Sequence, residues 1–164
     1  MDTMLPVVIT GIGATALTDL WSLARRQLLG VPLPDFGMVG RWFGHALSGT
    51  FGHPAMARAR PIRGERLLGW TVHYLIGVAF AALLPALWGD QWFARPSLWP
   101  AIGVGAFTVL APFLILHPGM GLGVAARHSA TPWRARSHSL LTHLVFGLGL
   151  YLSAWAGRAL NVSG

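Results

Sequence analysis

The chain has 164 residues, of which 54% are apolar and only 10% are charged, and its mean hydropathy is positive. Soluble domains are about 25% charged, so this composition excludes an ordinary soluble protein and indicates a single membrane domain. Cysteine is absent, which excludes disulfides, thiolate metal ligands and a cysteine nucleophile.

The basic residues are unevenly distributed. The formal net charge is +7, and all twelve basic residues are arginines. Apolar segments that alternate with arginine-rich connections are typical of the positive-inside rule, so the charge argues against a nucleic-acid partner. Ten of the arginines lie in or beside two connections: Arg25, Arg26, Arg41, Arg58, Arg60, Arg63, Arg66, Arg127, Arg134 and Arg136.

Four segments are apolar and long enough to cross a hydrocarbon core, which takes about 20 residues. They cover about residues 4–29, 67–88, 98–117 and 139–159. No basic residue precedes the first segment, so we expect it to remain as an anchor and not to be cleaved as a signal peptide. The sequence therefore predicts an all-α integral membrane protein over residues 1–164.

The orientation follows from the arginines. The connections 30–66 and 118–138 hold most of them and are expected in the cytoplasm. Three tryptophans flank the short opposite link at 89–96, as an interfacial aromatic belt does. We therefore expect both termini on the outside.

The first cytoplasmic connection is too long for a simple turn. Residues 36–47 have apolar side chains at helical spacing, and Asp35 precedes them as a candidate N-cap. This pattern predicts a short amphipathic helix that lies in the membrane interface. An ordered loop with an apolar run is the alternative. The apolar positions are Phe36, Val39, Phe43, Ala46 and Leu47.

The sequence contains a candidate internal repeat. Residues 12–20 align with residues 102–110 through shared Ile, Gly, Ala, Thr and Leu positions. Residues 73–80 align with residues 143–150 through a His and a Gly four residues later. The repeat predicts two similar hairpins related about an axis along the membrane normal, with the two histidines facing each other.

Three ionisable residues are expected at one depth in the membrane. A rise of about 1.5 Å per residue places Asp19, His73 and His143 roughly 8–10 Å inside the cytoplasmic edge. An ionisable residue at such a depth is a functional-site hypothesis. Further polar groups expected in this layer or at its cytoplasmic entrance are His117, Thr18, Thr108, His45 and Glu65. Glu65 is expected at a helix N-terminus or in an ion pair with Arg63 or Arg66.

The polar layer has several interpretations. Two imidazoles and one carboxylate suit a divalent Fe, Mn or Zn ion, with His117 completing the shell. A haem between His73 and His143 is a second interpretation, since the glycines near both would leave room for a macrocycle. Proton-coupled passage is a third. A buried hydrogen-bonded cluster that only locks helices together is the fourth.

The motif Gly64-Glu65-Arg66, with Gly69-Trp70 and His73-Tyr74, occurs with His117-Pro118 and His143-Leu144. This pattern resembles a bacterial family of unknown function whose members are small four-span inner-membrane proteins. The similarity covers nearly the whole chain. It implies a multi-pass protein of the bacterial inner membrane, and it implies no activity or site residues.

Three functional hypotheses remain open. The first is a small transport or permeation protein that works as a homo-oligomer in the lipid bilayer. The second is a membrane redox protein that binds haem or a metal. The third is a structural or accessory membrane protein. No P-loop and no nucleophile elbow is present, which favours a role without enzymatic activity.

Overall fold

The computed structural model describes residues 4–160, which form helices joined by turns and loops without a β-strand in that range. Four helices are long and apolar enough to cross a membrane, which confirms the predicted all-α membrane class. Two shorter helices occur between them. The helices are α1 (Met4–Leu29), α2 (Phe36–Leu47), α3 (Glu65–Trp88), α4 (Gln91–Ala94), α5 (Leu98–Gly119) and α6 (Pro132–Ala159). The chain ends, predicted to lie outside the cell, include residues 1–3 and 161–164, which are not among those described.

Proline interrupts two of the long helices. In α3 a turn occurs at Ala82, three residues before Pro85. In α5 the segment Pro112–Leu116 is π-helical. Both interruptions arise because proline cannot donate a backbone hydrogen bond and its ring crowds the preceding turn.

The chain forms two compact units, and the first contains residues 4–33, 74–108 and 141–160. Its helices approach each other closely at glycines. A Cβ atom at Gly147 would lie 2.8 Å from the carbonyl oxygen of Ala101, and one at Gly149 would lie 2.9 Å from the Cα of Ala14. Small residues at such crossings are typical of helix packing in membranes.

Large apolar side chains cover much of the outer surface of the long helices. This surface is expected where helices contact lipid, because no water is present there to penalise exposed apolar groups. Side chains of this kind include Leu5, Leu20, Leu75, Phe107, Leu148 and Leu152. The four apolar helices and this surface together indicate contact with a lipid bilayer.

The second unit contains residues 34–73 and 109–140. Asp35 caps α2 by accepting a hydrogen bond from the backbone N–H of Met38, as the sequence predicts. Gly40 and Gly69 bring α2 and the first turns of α3 into backbone contact.

The buried residues of α2 are Gly40 and Trp42. Leu47, assigned from the sequence to the apolar face, is 83% exposed. Trp42 packs against Gly119 and donates its indole N–H to the carbonyl of Phe51 at 2.9 Å. The location of α2 in the membrane interface stays a prediction.

Candidate functional site

The first polar pair of the first unit joins α1 to α3. The hydroxyl of Tyr74 donates a hydrogen bond of 3.0 Å to Oδ2 of Asp19. Thr18, the residue before Asp19, is buried, and its hydroxyl donates to the carbonyl of Ala14 in its own helix at 2.9 Å. Tyr74 was missed in the sequence, where an aromatic residue in an apolar segment suggests packing alone.

The second polar pair of the first unit joins α5 to α6. The Oγ1 atom of Thr108 lies 2.9 Å from Nδ1 of His143. The same hydroxyl donates to the carbonyl of Gly105 at 2.7 Å. A hydroxyl has only one proton, so Thr108 accepts from His143 when it donates to Gly105. The neutral imidazole then carries its proton on Nδ1, and its Nε2 has a free lone pair.

The helix crossings of the first unit occur at equivalent positions of the proposed repeat. A Cβ at Gly77 would lie 3.4 Å from the carbonyl oxygen of Gly11. In the second hairpin Gly147 contacts Ala101. Gly147 aligns with Gly77 in the repeat, and Ala101 and Gly11 are the residues just before the aligned segments 102–110 and 12–20. Both hairpins therefore cross in the same register, although the repeat itself stays a prediction.

The polar pairs of the two hairpins are shifted by one position relative to the repeat alignment. The repeat aligns Thr18 and His73 with Thr108 and His143. The second hairpin has a hydrogen bond between Thr108 and His143, whereas the first has the bond between Asp19 and Tyr74. Asp19 directly follows Thr18 and Tyr74 directly follows His73, so the pair of the first hairpin lies one residue after the aligned positions.

Two of the predicted site histidines belong to the second unit. The ring of His73 lies 4.2 Å from that of Phe36 and 5.8 Å from that of Trp70, so it is part of an aromatic group. His117 lies 5.8 Å from the ring of Phe113. Its buried Nδ1 atom has no hydrogen-bond partner among residues 4–160. The prediction that these histidines share one layer with Asp19 and His143 stays a prediction.

Glu65 pairs with Arg41, and the prediction of a pair with Arg63 or Arg66 is wrong. The Arg41 guanidinium meets both carboxylate oxygens of Glu65 at 2.8 Å. The carboxylate also accepts from the backbone N–H of Ile62 at 3.1 Å, which matches its predicted place at a helix start. Hydrogen bonding to Glu65 raises the pKa of Arg41 above its ordinary value, so this side chain stays charged.

His45 lies on α2 in the same unit. Its Nε2 atom is 2.9 Å from the carbonyl oxygen of Arg60, and its ring lies 4.8 Å from the ring of His53. A carbonyl can only accept, so Nε2 of His45 carries the proton. This hydrogen bond therefore connects α2 to the arginine-rich loop.

No metal or haem site is evident from the grouping of side chains. Within residues 4–160, no three or more His, Asp or Glu side chains are placed to hold one metal ion. We expected the space beside Gly77 and Gly147 to leave room for a macrocycle. Neighbouring helices occupy this space. The metal and haem interpretations therefore stay predictions with no support from these contacts.

Comparisons with known proteins give one result. Residues 8–157 match the family model described as "Protein of unknown function (DUF2938)". No curated protein and no solved structure matches the chain. Function therefore has to be argued from the contacts of this chain.

Proposed function

We propose that this chain, which belongs to the DUF2938 family of unknown function, is a small proton-coupled transport protein. The proposed site consists of two pairs of the first unit, Asp19 with Tyr74 and Thr108 with His143. The Thr108–His143 contact carries the proposal, because it leaves Nε2 of His143 as a proton acceptor inside a membrane-spanning helix.

The chemistry of both pairs supports this role. Ionisable groups inside membrane helices are costly, and they usually mark proton or substrate pathways. The Thr108 hydroxyl orients the imidazole of His143, and the Tyr74 hydroxyl orients the carboxylate of Asp19. A base and an acid held in this way are able to take up and release protons without a metal or a cofactor.

The surroundings of the proposed protein are part of the proposal. Its location is the bacterial inner membrane, with the arginine-rich connections in the cytoplasm. A chain of 164 residues leaves little room for a pathway inside one copy. The proposed transport protein is therefore a homo-oligomer in which each copy contributes its own two pairs.

Proton flux into proteoliposomes tests the proposal. Purified protein is reconstituted with a pH-sensitive dye inside the vesicles, and a membrane potential drives the protons. We expect flux above that of empty vesicles, and we expect His143→Gln and Asp19→Asn to lower it by about 10²-fold or more, within the 10²–10⁴-fold scale of acid–base groups. His128→Gln and Asp90→Asn are the matched controls, since both residues are exposed and lie outside the proposed site.

A structural role for the two pairs is the competing interpretation. It is favoured by the fact that each pair joins two helices, as a packing contact would. Under this interpretation the wild-type protein gives no flux above empty vesicles, and both variants lower thermal stability. That result overturns the transport proposal, and so does flux that persists in both variants.

A further inference from the structure

A groove of about 370 Å³ opens on the first unit beside the link between α3 and α5. This volume lies in the range of roughly 300–1,000 Å³ that holds small ligands. All residues that line it come from the link and its edges, so one short stretch of chain sets its shape. They are Trp88, Gln91, Trp92, Ala94 and Arg95.

The link has a defined backbone. Gly89 has a φ of 77°, which an L side chain rarely adopts. The amide of Gln91 folds back and donates to the carbonyl of Trp88 at 3.0 Å. Trp92 and Phe93 are buried with their rings edge to face, 5.4 Å apart. The walls of the groove are therefore held by contacts within the link.

Two residues that line the groove have hydrogen-bond donors without an acceptor among residues 4–160. Trp92 is 4% exposed, and its indole N–H has no partner among residues 4–160. The Arg95 side chain is exposed and makes no hydrogen bond or ion pair with the described residues. A buried donor without an acceptor destabilises the folded protein, so an acceptor from outside the chain would be favourable at this groove.

The indole N–H of Trp92 and the guanidinium of Arg95 suit a ligand with anionic oxygens. A guanidinium and an indole N–H are both able to donate to the oxygens of one phosphate, and arginine suits phosphate through its planar fork. The link is expected at the membrane interface, where tryptophans gather at the level of the lipid headgroups. The phosphate that is abundant at this level belongs to phospholipids.

A second charge narrows the class of headgroup. Asp90 precedes Gln91, is exposed, and its side chain makes no cap hydrogen bond. A carboxylate on the residue next to Gln91, which lines the groove, disfavours a headgroup with extra negative charge and favours one that also has an ammonium group. We propose that this groove binds the headgroup of a zwitterionic phospholipid, phosphatidylethanolamine, with the phosphate on Trp92 and Arg95.

Lipid retention by the full-length protein in detergent tests this site. Phosphatidylethanolamine is titrated into delipidated protein, and bound lipid is counted by native mass spectrometry. We expect Arg95→Gln to weaken retention by about tenfold, because the variant loses a charged hydrogen bond to the phosphate. Trp92→Phe keeps the aromatic packing, removes the N–H, and is expected to weaken retention severalfold.

Matched controls use residues of the same types elsewhere. Trp99 is 80% exposed and Arg158 lies in the last turn of α6, and neither lines the groove. Trp99→Phe and Arg158→Gln should retain the lipid as the wild type does. The exposed position of Arg95 means that Arg95→Gln tests the site even if Trp92→Phe does not fold.

Several results would overturn the assignment. Equal retention by Arg95→Gln and wild type would do so, and so would equal losses in the control variants. Inorganic phosphate that competes fully with the lipid would identify a free-anion site in place of a lipid site. Preference for phosphatidylglycerol over phosphatidylethanolamine would contradict the role given to Asp90.

Discussion

The guanidinium of Arg41 and the carboxylate of Glu65 meet through two contacts of 2.8 Å, fork to fork. The third guanidinium nitrogen donates to the carbonyls of Met56 and Ala59 at 3.4 and 3.2 Å. One side chain therefore connects α2, the loop after it and the start of α3. Both partners are largely shielded, with 14% and 22% of their side-chain surface exposed, so we expect them to matter for stability.

Replacing Arg41 by Lys should lower the melting temperature of the detergent-solubilised protein by several degrees. An ammonium is a point charge and is unable to bridge a carboxylate and two carbonyls at the same time. Glu65→Gln should have a similar effect, and the double variant should lose less than the sum of the two. Arg60→Lys is the control, because the Arg60 side chain is exposed and unpaired among residues 4–160. An unchanged melting temperature in Arg41→Lys would contradict the prediction.

The protonation of His143 is a second testable consequence. Because Thr108 donates to Gly105, its oxygen accepts from His143, and the neutral ring should carry its proton on Nδ1. Solid-state nitrogen NMR of labelled histidine distinguishes the two ring nitrogens directly. We expect a protonated Nδ1 in the wild type and in Thr108→Ser, which keeps the hydroxyl.

Thr108→Val removes the acceptor while it keeps the shape of the side chain. We expect a change in the Nδ1 signal of His143 in this variant and restoration of the signal in Thr108→Ser. A wild-type spectrum with the proton on Nε2 would contradict the tautomer. A purely structural role for Thr108 would change stability without selecting between the ring nitrogens, so the signal separates positioning from packing.

The class of the fold follows from composition because a membrane leaves few choices. With so few charges and about 20 consecutive apolar residues in each of four segments, a helix is the structure that satisfies every backbone group within its own segment. Asp35 was likewise predictable as a cap, since the signal is local in the sequence. Such features depend on residues a few positions apart.

The partners of the polar side chains were not predictable in the same way. Arg41 is 24 residues from Glu65, whereas Arg63 and Arg66 are its neighbours in sequence. The true pair forms because Gly40 and Gly69 let α2 and α3 touch. No local sequence pattern predicts the contact between α2 and α3, because it depends on the path of the loop that connects them.

The same limit applies to the intramembrane pairs. Asp19 and His143 were identified from depth, but Tyr74 was missed because 55 residues separate it from Asp19. Depth counting orders residues along the membrane normal, and it says nothing about which faces of two helices meet. The hydrogen bond of Thr108 to His143 depends on that rotation too.

A third prediction concerns the close crossing of α5 and α6. In Gly147→Ala the new methyl group would lie 2.8 Å from the carbonyl oxygen of Ala101 and 2.9 Å from the Cα of Ile102. These are backbone atoms, so the helices would have to move apart. Overpacking of this kind costs about 1–3 kcal/mol, and we expect a lower melting temperature in detergent.

Gly103→Ala is the matched control on α5. A Cβ at Gly103 would have no atom within 4 Å, and the residue is exposed. This change should leave stability the same or raise it slightly, since alanine favours the helix more than glycine by about 1 kcal/mol. Equal losses in Gly103→Ala and Gly147→Ala would show that the crossing is looser than the contacts imply.

The last prediction concerns orientation in the membrane. The chain has no cysteine, so a single introduced cysteine reports its own location with no background. Ala57 lies in the arginine-rich connection and Ser97 lies directly after the opposite link, and both are exposed. We expect a membrane-impermeant maleimide to label Ser97→Cys in intact cells, because positive-inside topology places this link outside.

Ala57→Cys should be labelled only after the cells are permeabilised. Labelling of both variants in permeabilised cells is the internal control, since it shows that each thiol is reachable by the reagent. The reverse pattern would place the arginine-rich connections outside and contradict the orientation. Labelling of both in intact cells would contradict a membrane crossing by α3, because this single crossing between the two connections puts them on opposite sides.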